Sequence, residues 1–373
     1  MPLAYAVVST YPPTPCGIAT FSAALCHGLA ATGAEVGVVR IGEAPRASGT
    51  RVIGTVSDSD PGRAADALYA LNQADVAIVQ HEYGIYAGDD GDSILDLLAA
   101  IDIPTVVVAH TVLEDPTPRQ RAVLEAVAHA ADAVVVMTDA GQDRLRRGFD
   151  IDPDKVSVIP HGAAVAASVS PERGARGRLL TWGLLGPGKG IEWAIDALAA
   201  LHDLDPRPEY LIAGATHPKV LAHEGEAYRE MLEKRVAAAG IADHVTFDAD
   251  YRDLPALADL IASSSVVVLP YDSPDQVTSG VLVDAVAAGR PVVATAFPHA
   301  VELLATGAGL VVPRRDPDAL AAALRRVLTE PGLATSMAAE ARRIAPSLAW
   351  PAIAARYARV GESLRAPRAA VPA

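Results

Sequence analysis

The sequence predicts an α/β protein made of two doubly wound domains in series, and three observations carry that reading. Short, continuously apolar runs alternate with amphipathic stretches; the alternation lapses once, near the middle; it then starts afresh. Strands apolar at every position suit a parallel sheet with helices on both faces, not a sheet with one wet face. The 373 residues are enough for two domains with a full core each.

In the first half LAYAVVS (3–9), EVGVVRI (35–41), DVAIVQ (75–80), PTVVVAH (104–110), DAVVVMT (132–138) and KVSVIP (155–160) read as strands. Between them, residues 18–33, 92–102 and 117–132 carry apolar side chains at helical spacing, and the first of these stretches ends on Gly33. Residues 161–177, HGAAVAASVSPERGARG, are small and polar with no apolar period, which marks a linker. Strand-like runs return as RLLTWG (178–183), EYLIAG (209–214), HVTFD (244–248), SVVVLP (265–270), PVVATA (291–296) and AGLVVP (308–313). The expected division is a first domain over 1–165, a linker over 166–177 and a second domain over 178–346. A helical tail over 347–366 is followed by a frayed end, and a ligand cleft is expected between the domains.

Composition narrows the function. A net charge of −14 argues against general affinity for nucleic acid or an anionic membrane. No apolar run reaches the length needed to span a bilayer, and MPLAYAVVSTYPP reads as a first strand, not a signal peptide. Cys16 and Cys26, in a loop and its following helix, are expected as free thiols of a cytoplasmic protein. Arg144, Arg146 and Arg147 fit a solvated helix end whose cations complement the dipole. The ten histidines show no metal-ligand spacing. D-x-D triplets such as Asp58/Asp60 and Asp248/Asp250 arise by chance or as helix caps in so acidic a chain, so no metal is expected.

Two segments carry chemistry. TWGLLGPGKG (181–190) satisfies G-x-x-x-x-G-K through Gly183, Gly188 and Lys189, but Gly190 stands where a Ser or Thr would hold magnesium. A strand precedes it and a helix follows, the context in which glycine amides and a helix start hold phosphate. The bland alternative is a tight turn that binds nothing. The second segment runs from Tyr271 through Gln276 to a small-residue turn, Thr278-Ser279-Gly280, and a helix bearing Asp284. Asp284 suits vicinal hydroxyls such as those of ribose; alternatively it is an exposed acid placed for the helix dipole. His110 ends a strand where α/β proteins bind ligands, with a structural histidine as the rival reading. His81, Glu82 and Tyr83 follow another strand and suit either an acceptor pocket or a plugged turn.

Taken together, these segments resemble the nucleotide-sugar half of the retaining glycosyltransferases of family 4, which have the GT-B fold. Gly188-Lys189-Gly190 matches the family's loop ending in K-G; QVTSGVLVDAVAAG occupies its paired-glutamate motif, with Gln276 and Asp284 at the glutamate positions; Glu302 matches a downstream glutamate. TYPPTPCGIATFSAAL resembles the first glycine-bearing loop and helix, through Gly17; VVVAHTV resembles the strand ending in His110; VSVIPHG, through His161, resembles the passage to the linker. AWPAIAARY resembles the helix that crosses back to the first domain.

The resemblance implies two Rossmann-like domains facing a cleft and retaining hexosyl transfer from a UDP- or GDP-sugar to an unidentified small-molecule, glycan or glycoconjugate acceptor. No cofactor or metal is implied. Lys189, His110 and Gln276 would serve the reaction. Gly17, Gly186, Gly188, Gly190, Thr278, Ser279, Gly280, Asp284 and Glu302 would hold the donor, with His81, Glu82, Tyr83 and His161 on the acceptor side. Three departures stand out: Leu184 replaces a frequent Arg, Gln276 a Glu, and Asp284 is a methylene shorter than Glu. A GT-B epimerase, a phosphorylase or a catalytically weakened scaffold subunit therefore remain as alternatives.

Overall fold

The computed structural model describes residues 2–14, 16–42, 51–57, 61–165, 177–250, 252 and 254–365. Residues 166–176 of the expected linker, Asp58, Asp60, and 366–373 lie outside them. The chain divides into two compact units, Met1–Gly162 with Trp350–Ala373, and Ala163–Ala349.

In the first unit, β1 (Ala4–Ser9), β2 (Glu35–Ile41), β3 (Val52–Val56), β4 (Val76–His81), β5 (Thr105–Ala109), β6 (Ala133–Val136) and β7 (Val156–Val158) form one sheet. Its order is β3-β2-β1-β4-β5-β6-β7, and every pairing is parallel. The six runs expected from their apolar character are strands. The seventh, β3, is an edge strand, VIGTV, interrupted by Gly54 and only partly buried, so it lacks the continuous apolar signature. Central strands are apolar on both faces because helices cover both: Ala6, Val7 and Val8 are wholly buried. The helix Gly17–Ala31 contributes Phe21, Leu25, Cys26 and Leu29 to the core, and the last helix, Trp350–Arg365, contributes Ile353, Ala354 and Tyr357 to the same cluster. The two helices touch closely. A Cβ on Gly28 would lie 2.8 Å from that of Ala354, so a larger residue there would prop them apart.

The second unit repeats the plan with β8 (Arg178–Trp182), β9 (Glu209–Ala213), β10 (Val245–Asp248), β11 (Val266–Leu269), β12 (Val292–Thr295) and β13 (Gly309–Val312). They pair in parallel in the order β10-β9-β8-β11-β12-β13. Alternate residues of each strand feed different clusters: Leu179, Val266 and Val268 one, Leu180, Val267 and Leu269 the other. That alternation gives each face its own core.

In both units the strand order reverses beside the first strand, between β1 and β4 and between β8 and β11. Open α/β sheets take ligands at the carboxyl ends of the strands beside such a reversal. The loops there are those after β1 and β4 in one unit and after β8 and β11 in the other. Among the described residues, no helix is long and apolar enough to cross a membrane.

Candidate functional site

The loop after β8 needs its glycines for their backbone. Gly183 (φ +116°), Gly188 (φ +85°) and Gly190 (φ +64°) adopt left-handed backbone. A Cβ on Gly190 would fall 1.9 Å from the Pro270 carbonyl oxygen, so this position admits only glycine. The amides of Gly183 and Leu185 donate to Ala213 and Ala215, and that of Lys189 donates to Gly186. The amides of Gly186, Gly188 and Gly190 have no partner among the described residues. The helix Ile191–Ala199 begins directly after them. Three unpaired amides and a helix start form a cradle for an anion.

Lys189 stands over the ring of Tyr271, its Nζ 4.5 Å from the centroid, with no carboxylate paired to it among the described residues. Burial pushes its pKa below the ordinary lysine value. A cation half-removed from water and without a counter-ion favours an incoming anion.

The segment after β11 is stitched to this loop. The amide of Asp272 donates to the Gly188 carbonyl at 2.9 Å, and Val281 lies against Gly183. Tyr271 is buried and stacks at a tilt on Phe297, 5.1 Å between centroids. Thr295 Oγ1 donates to the Tyr271 carbonyl at 2.5 Å, and Arg315 pairs with Asp272 at 2.7 Å, which fixes the segment further.

Asp284 lies one turn into the helix Gly280–Ala287. It is not the exposed dipole-directed acid of the alternative reading: it is half-buried, has no partner among the described residues, and burial pushes its carboxyl up to about 7. Gln276 donates through Nε2 to the Thr278 carbonyl, and its backbone carbonyl accepts from the His299 amide at 3.4 Å. The Ser279 amide donates to His299 Nδ1 at 2.8 Å, and the Ser279 hydroxyl caps the helix by accepting from Leu282 at 3.2 Å. Ser279 is thus occupied in shaping the turn, and the amides of Gly280 and Val281 are its remaining donors. Glu302 is half-buried on the helix Pro298–Leu304.

The first unit builds a different edge. His110 Nε2 lies 2.7 Å from Gln80 Oε1, and Phe21 meets the His110 ring edge-on at 4.9 Å. Phe21 also meets His161 at 5.0 Å and Trp350 at 5.1 Å. His161 Nδ1 lies 2.7 Å from the Gly162 carbonyl, and the His110 amide donates to the His81 carbonyl. Burial, with the neighbouring rings of His161 and His81, holds His110 down to about 3; burial alone brings His81 to about 4, and burial brings His161 to about 4 against the opposing bond to the Gly162 carbonyl. All three are neutral near pH 7. Thr111 Oγ1 donates to Glu82 at 2.5 Å, and the Tyr83 hydroxyl donates to the Gln120 carbonyl at 3.1 Å. Gly17 opens the helix that carries Phe21, and a Cβ there would meet nothing within 4 Å.

Each group of expected residues is therefore gathered within its own unit. Gly186, Gly188, Lys189 and Gly190 lie on one edge with the segment that carries Gln276, Thr278, Ser279, Gly280 and Asp284. His81, Glu82, Tyr83, His110 and His161 lie on another, with Gly17 opening the adjoining helix. Three residues with structural work at these edges were not singled out from sequence: Tyr271 under Lys189, His299 behind Ser279, and Gln80 against His110. The D-x-D pair at Asp248 has a local task, since Asp248 pairs with Arg252 and accepts from the Asp250 amide. Arg146 and Arg147 occupy the last turn of the helix Asp139–Gly148, and Arg144 donates to the Val112 carbonyl.

Two doubly wound units with such loops at their reversal points define the GT-B class of fold. Solved structures share it over nearly the whole chain: sucrose-phosphate synthase of Thermosynechococcus elongatus (TM-score 0.75, 20% identity, covering 97% of this chain and 99% of that one) and Anabaena HepE in complex with UDP (TM-score 0.73, 18% identity, 97% and 100%). Residues 15–166 match Glycosyltransferase Family 4 and residues 176–330 match Glycosyl transferases group 1, and the chain belongs to this glycosyltransferase family. The D-inositol 3-phosphate glycosyltransferase of Jonesia denitrificans is 30% identical over 284 residues, 67% of this chain and 63% of that protein. The chain spans about three fifths of the length of the curated relatives it matches first.

Proposed function

We propose that this chain transfers a hexosyl group, with retention, from a nucleoside-diphosphate sugar to a hydroxyl-bearing acceptor, without a metal ion. The observation that carries the reading is the second unit's edge. A lysine with no carboxylate beside it, three unpaired glycine amides and a carboxylate without a partner, all judged among the described residues, stand on two segments bonded to each other. The cation and amides suit a diphosphate; the carboxylate, one helical turn away, suits the ribose hydroxyls.

In this reading Lys189 and the amides of Gly186, Gly188, Gly190, Gly280 and Val281 stabilise the charge that grows on the leaving diphosphate. Asp284 anchors the nucleoside, while Gln276 and His110 address the sugar. Departure and attack on one face give retention, and a β-phosphate oxygen takes the acceptor proton. No strong carboxylate base is then needed. The acceptor is read by the first unit's loops, and the relatives' D-inositol 3-phosphate makes a phosphorylated polyol a reasonable first acceptor to offer.

A thermal-shift screen with UDP, GDP and ADP and their common sugars tests the reading, UDP first because the Anabaena structure holds it. The expected result is a raised Tm with one nucleoside diphosphate and slow donor hydrolysis by the same protein. Absence of a shift with all three would overturn it. One observation favours a second reading: Gln276, engaged with the Thr278 carbonyl, brings no charge to the sugar. A protein that binds the donor but neither hydrolyses nor transfers it would be the scaffold subunit.

A further inference from the structure

Gln80 is an expensive residue for its place. It lies in β4 between Val79 and His81, in the middle of a wholly parallel sheet, and is completely buried. Its Nε2 has no hydrogen-bond partner among the described residues, although an unpaired buried amide is costly and calls for a reason. The Tyr86 hydroxyl occupies only its backbone carbonyl, at 2.6 Å. The satisfied half of the carboxamide is the half that faces His110, with Oε1 at 2.7 Å from the ring Nε2.

In the orientation the carboxamide adopts here its oxygen faces the ring, and since that oxygen accepts and cannot donate, the facing Nε2 carries the proton. The His110 Nδ1 is then left with its lone pair, and it has no partner among the described residues. Phe21, edge-on at 4.9 Å, holds the plane of the ring. The other titratable rings near His110 are His81 and His161, both neutral near pH 7, and Glu82 is bonded to Thr111. Within that set Gln80 is the group bonded to the imidazole Nε2, and the one carboxylate, Glu82, is engaged by Thr111.

We propose that Gln80 is a positioning residue that fixes His110 in the Nε2–H tautomer, so that Nδ1 is presented as an acceptor for a hydroxyl of the transferred sugar. The inference rests on the reading that His110 addresses the donor sugar. A methionine in place of Gln80 would pack with the same volume and leave no orphaned donor, but Nε2–H would then face sulfur and methylene. The proton would move to Nδ1, and the ring would offer the sugar a donor where it needs an acceptor.

The test uses the full chain, labelled with nitrogen-15 in its histidines, and steady-state kinetics on the same preparations. The wild type is expected to show His110 as the Nε2–H tautomer, uncharged down to about pH 4. Gln80→Met should shift the ring toward Nδ1–H and lower kcat by roughly tenfold or more with donor KM little changed. Gln80→Glu keeps the acceptor, so it should restore the tautomer and turnover at high pH. Its carboxylate would also favour the imidazolium, adding an acid-side loss of activity that the wild type lacks. An Nδ1–H tautomer in the wild type, or wild-type turnover in Gln80→Met, would overturn the proposal. If Gln80→Met does not fold, the wild-type spectrum and the Gln80→Glu pH profile decide. A wild type that transfers no sugar defeats the functional reading instead, while the tautomer measurement still judges Gln80.

Discussion

The two units share a plan but arm their reversal points in opposite ways. The first unit's edge is built mainly from neutral groups, with three histidines kept uncharged by burial and tied to carbonyls, a carboxamide and aromatic rings, and its carboxylate, Glu82, bonded to Thr111. Among the described residues, the second unit's edge keeps a lysine with no counter-ion and an aspartate with no partner, and leaves glycine amides unpaired. Neutral acceptors and donors suit hydroxyls; a cation and unpaired amides suit a phosphate, and a carboxylate suits the hydroxyls beside it. One scaffold thus offers two recognition chemistries, and what differs is the loop sequence, not the sheet.

Breaking the charged edge should have the largest effect. Lys189→Ala should fold with Tm nearly unchanged yet lose on the order of 2–4 kcal/mol of transition-state stabilisation, measured as a fall in kcat/KM for the donor. Unchanged turnover would remove the lysine from the reaction.

Asp284→Ala follows, with about 1.5–3 kcal/mol lost from binding of both the free nucleoside diphosphate and the whole donor, measured by calorimetric titration. The same carboxyl gives a pH signature. Its pKa rises from 3.8 to about 7 on folding, so across that window the unfolded chain has released a proton that the folded protein retains. Stability of the unliganded protein should therefore fall as pH climbs from about 4 to about 7 and then level off. Nucleotide affinity should move the other way, since only the ionised form accepts from two hydroxyls. Asp284→Asn should flatten both curves.

Gln276→Ala sharpens the comparison from the middle, because this residue belongs to the charged edge but carries no charge. It should spare nucleoside-diphosphate affinity and lower turnover or sugar selectivity by about 1 kcal/mol, the worth of one neutral hydrogen bond. Equal losses for free nucleotide and donor would place Gln276 at the nucleoside instead. The smallest effect is expected from chelation: EDTA should leave transfer intact, and loss of activity with rescue by manganese or magnesium would return attention to Asp248 and Asp250.

Strands were legible wherever both faces are covered, because burial on both sides writes an unbroken apolar run, as in VVVA of β5 or VVVL of β11. The edge strand β3 was not, since a half-wet strand with Gly54 at its centre carries no such run. In the candidate site, the glycine loop announced itself through spacing. The Lys189–Tyr271 contact and the His299 support of Ser279 did not, because both join residues far apart in the chain. Sequence could name Ser279 as a phosphate contact; only the tertiary bond to His299 shows its amide already in use. Gln80 was hidden for a related reason. Within DVAIVQ it looks like the polar end of a strand, and its partner His110 is thirty residues away.

The final helix, Trp350–Arg365, has a consequence for how the protein is made. It supplies Ile353, Ala354 and Tyr357 to a core whose other buried members lie between Tyr5 and Ile159. On the ribosome, the first unit emerges early and waits with Phe21, Leu25 and Leu29 uncovered while the second, continuous in sequence, is synthesised and can close its own cores. The order of completion is therefore the reverse of the order of synthesis. A chain halted at Ala349 would present a finished second unit joined to an apolar groove, a ready target for chaperones and proteases alike.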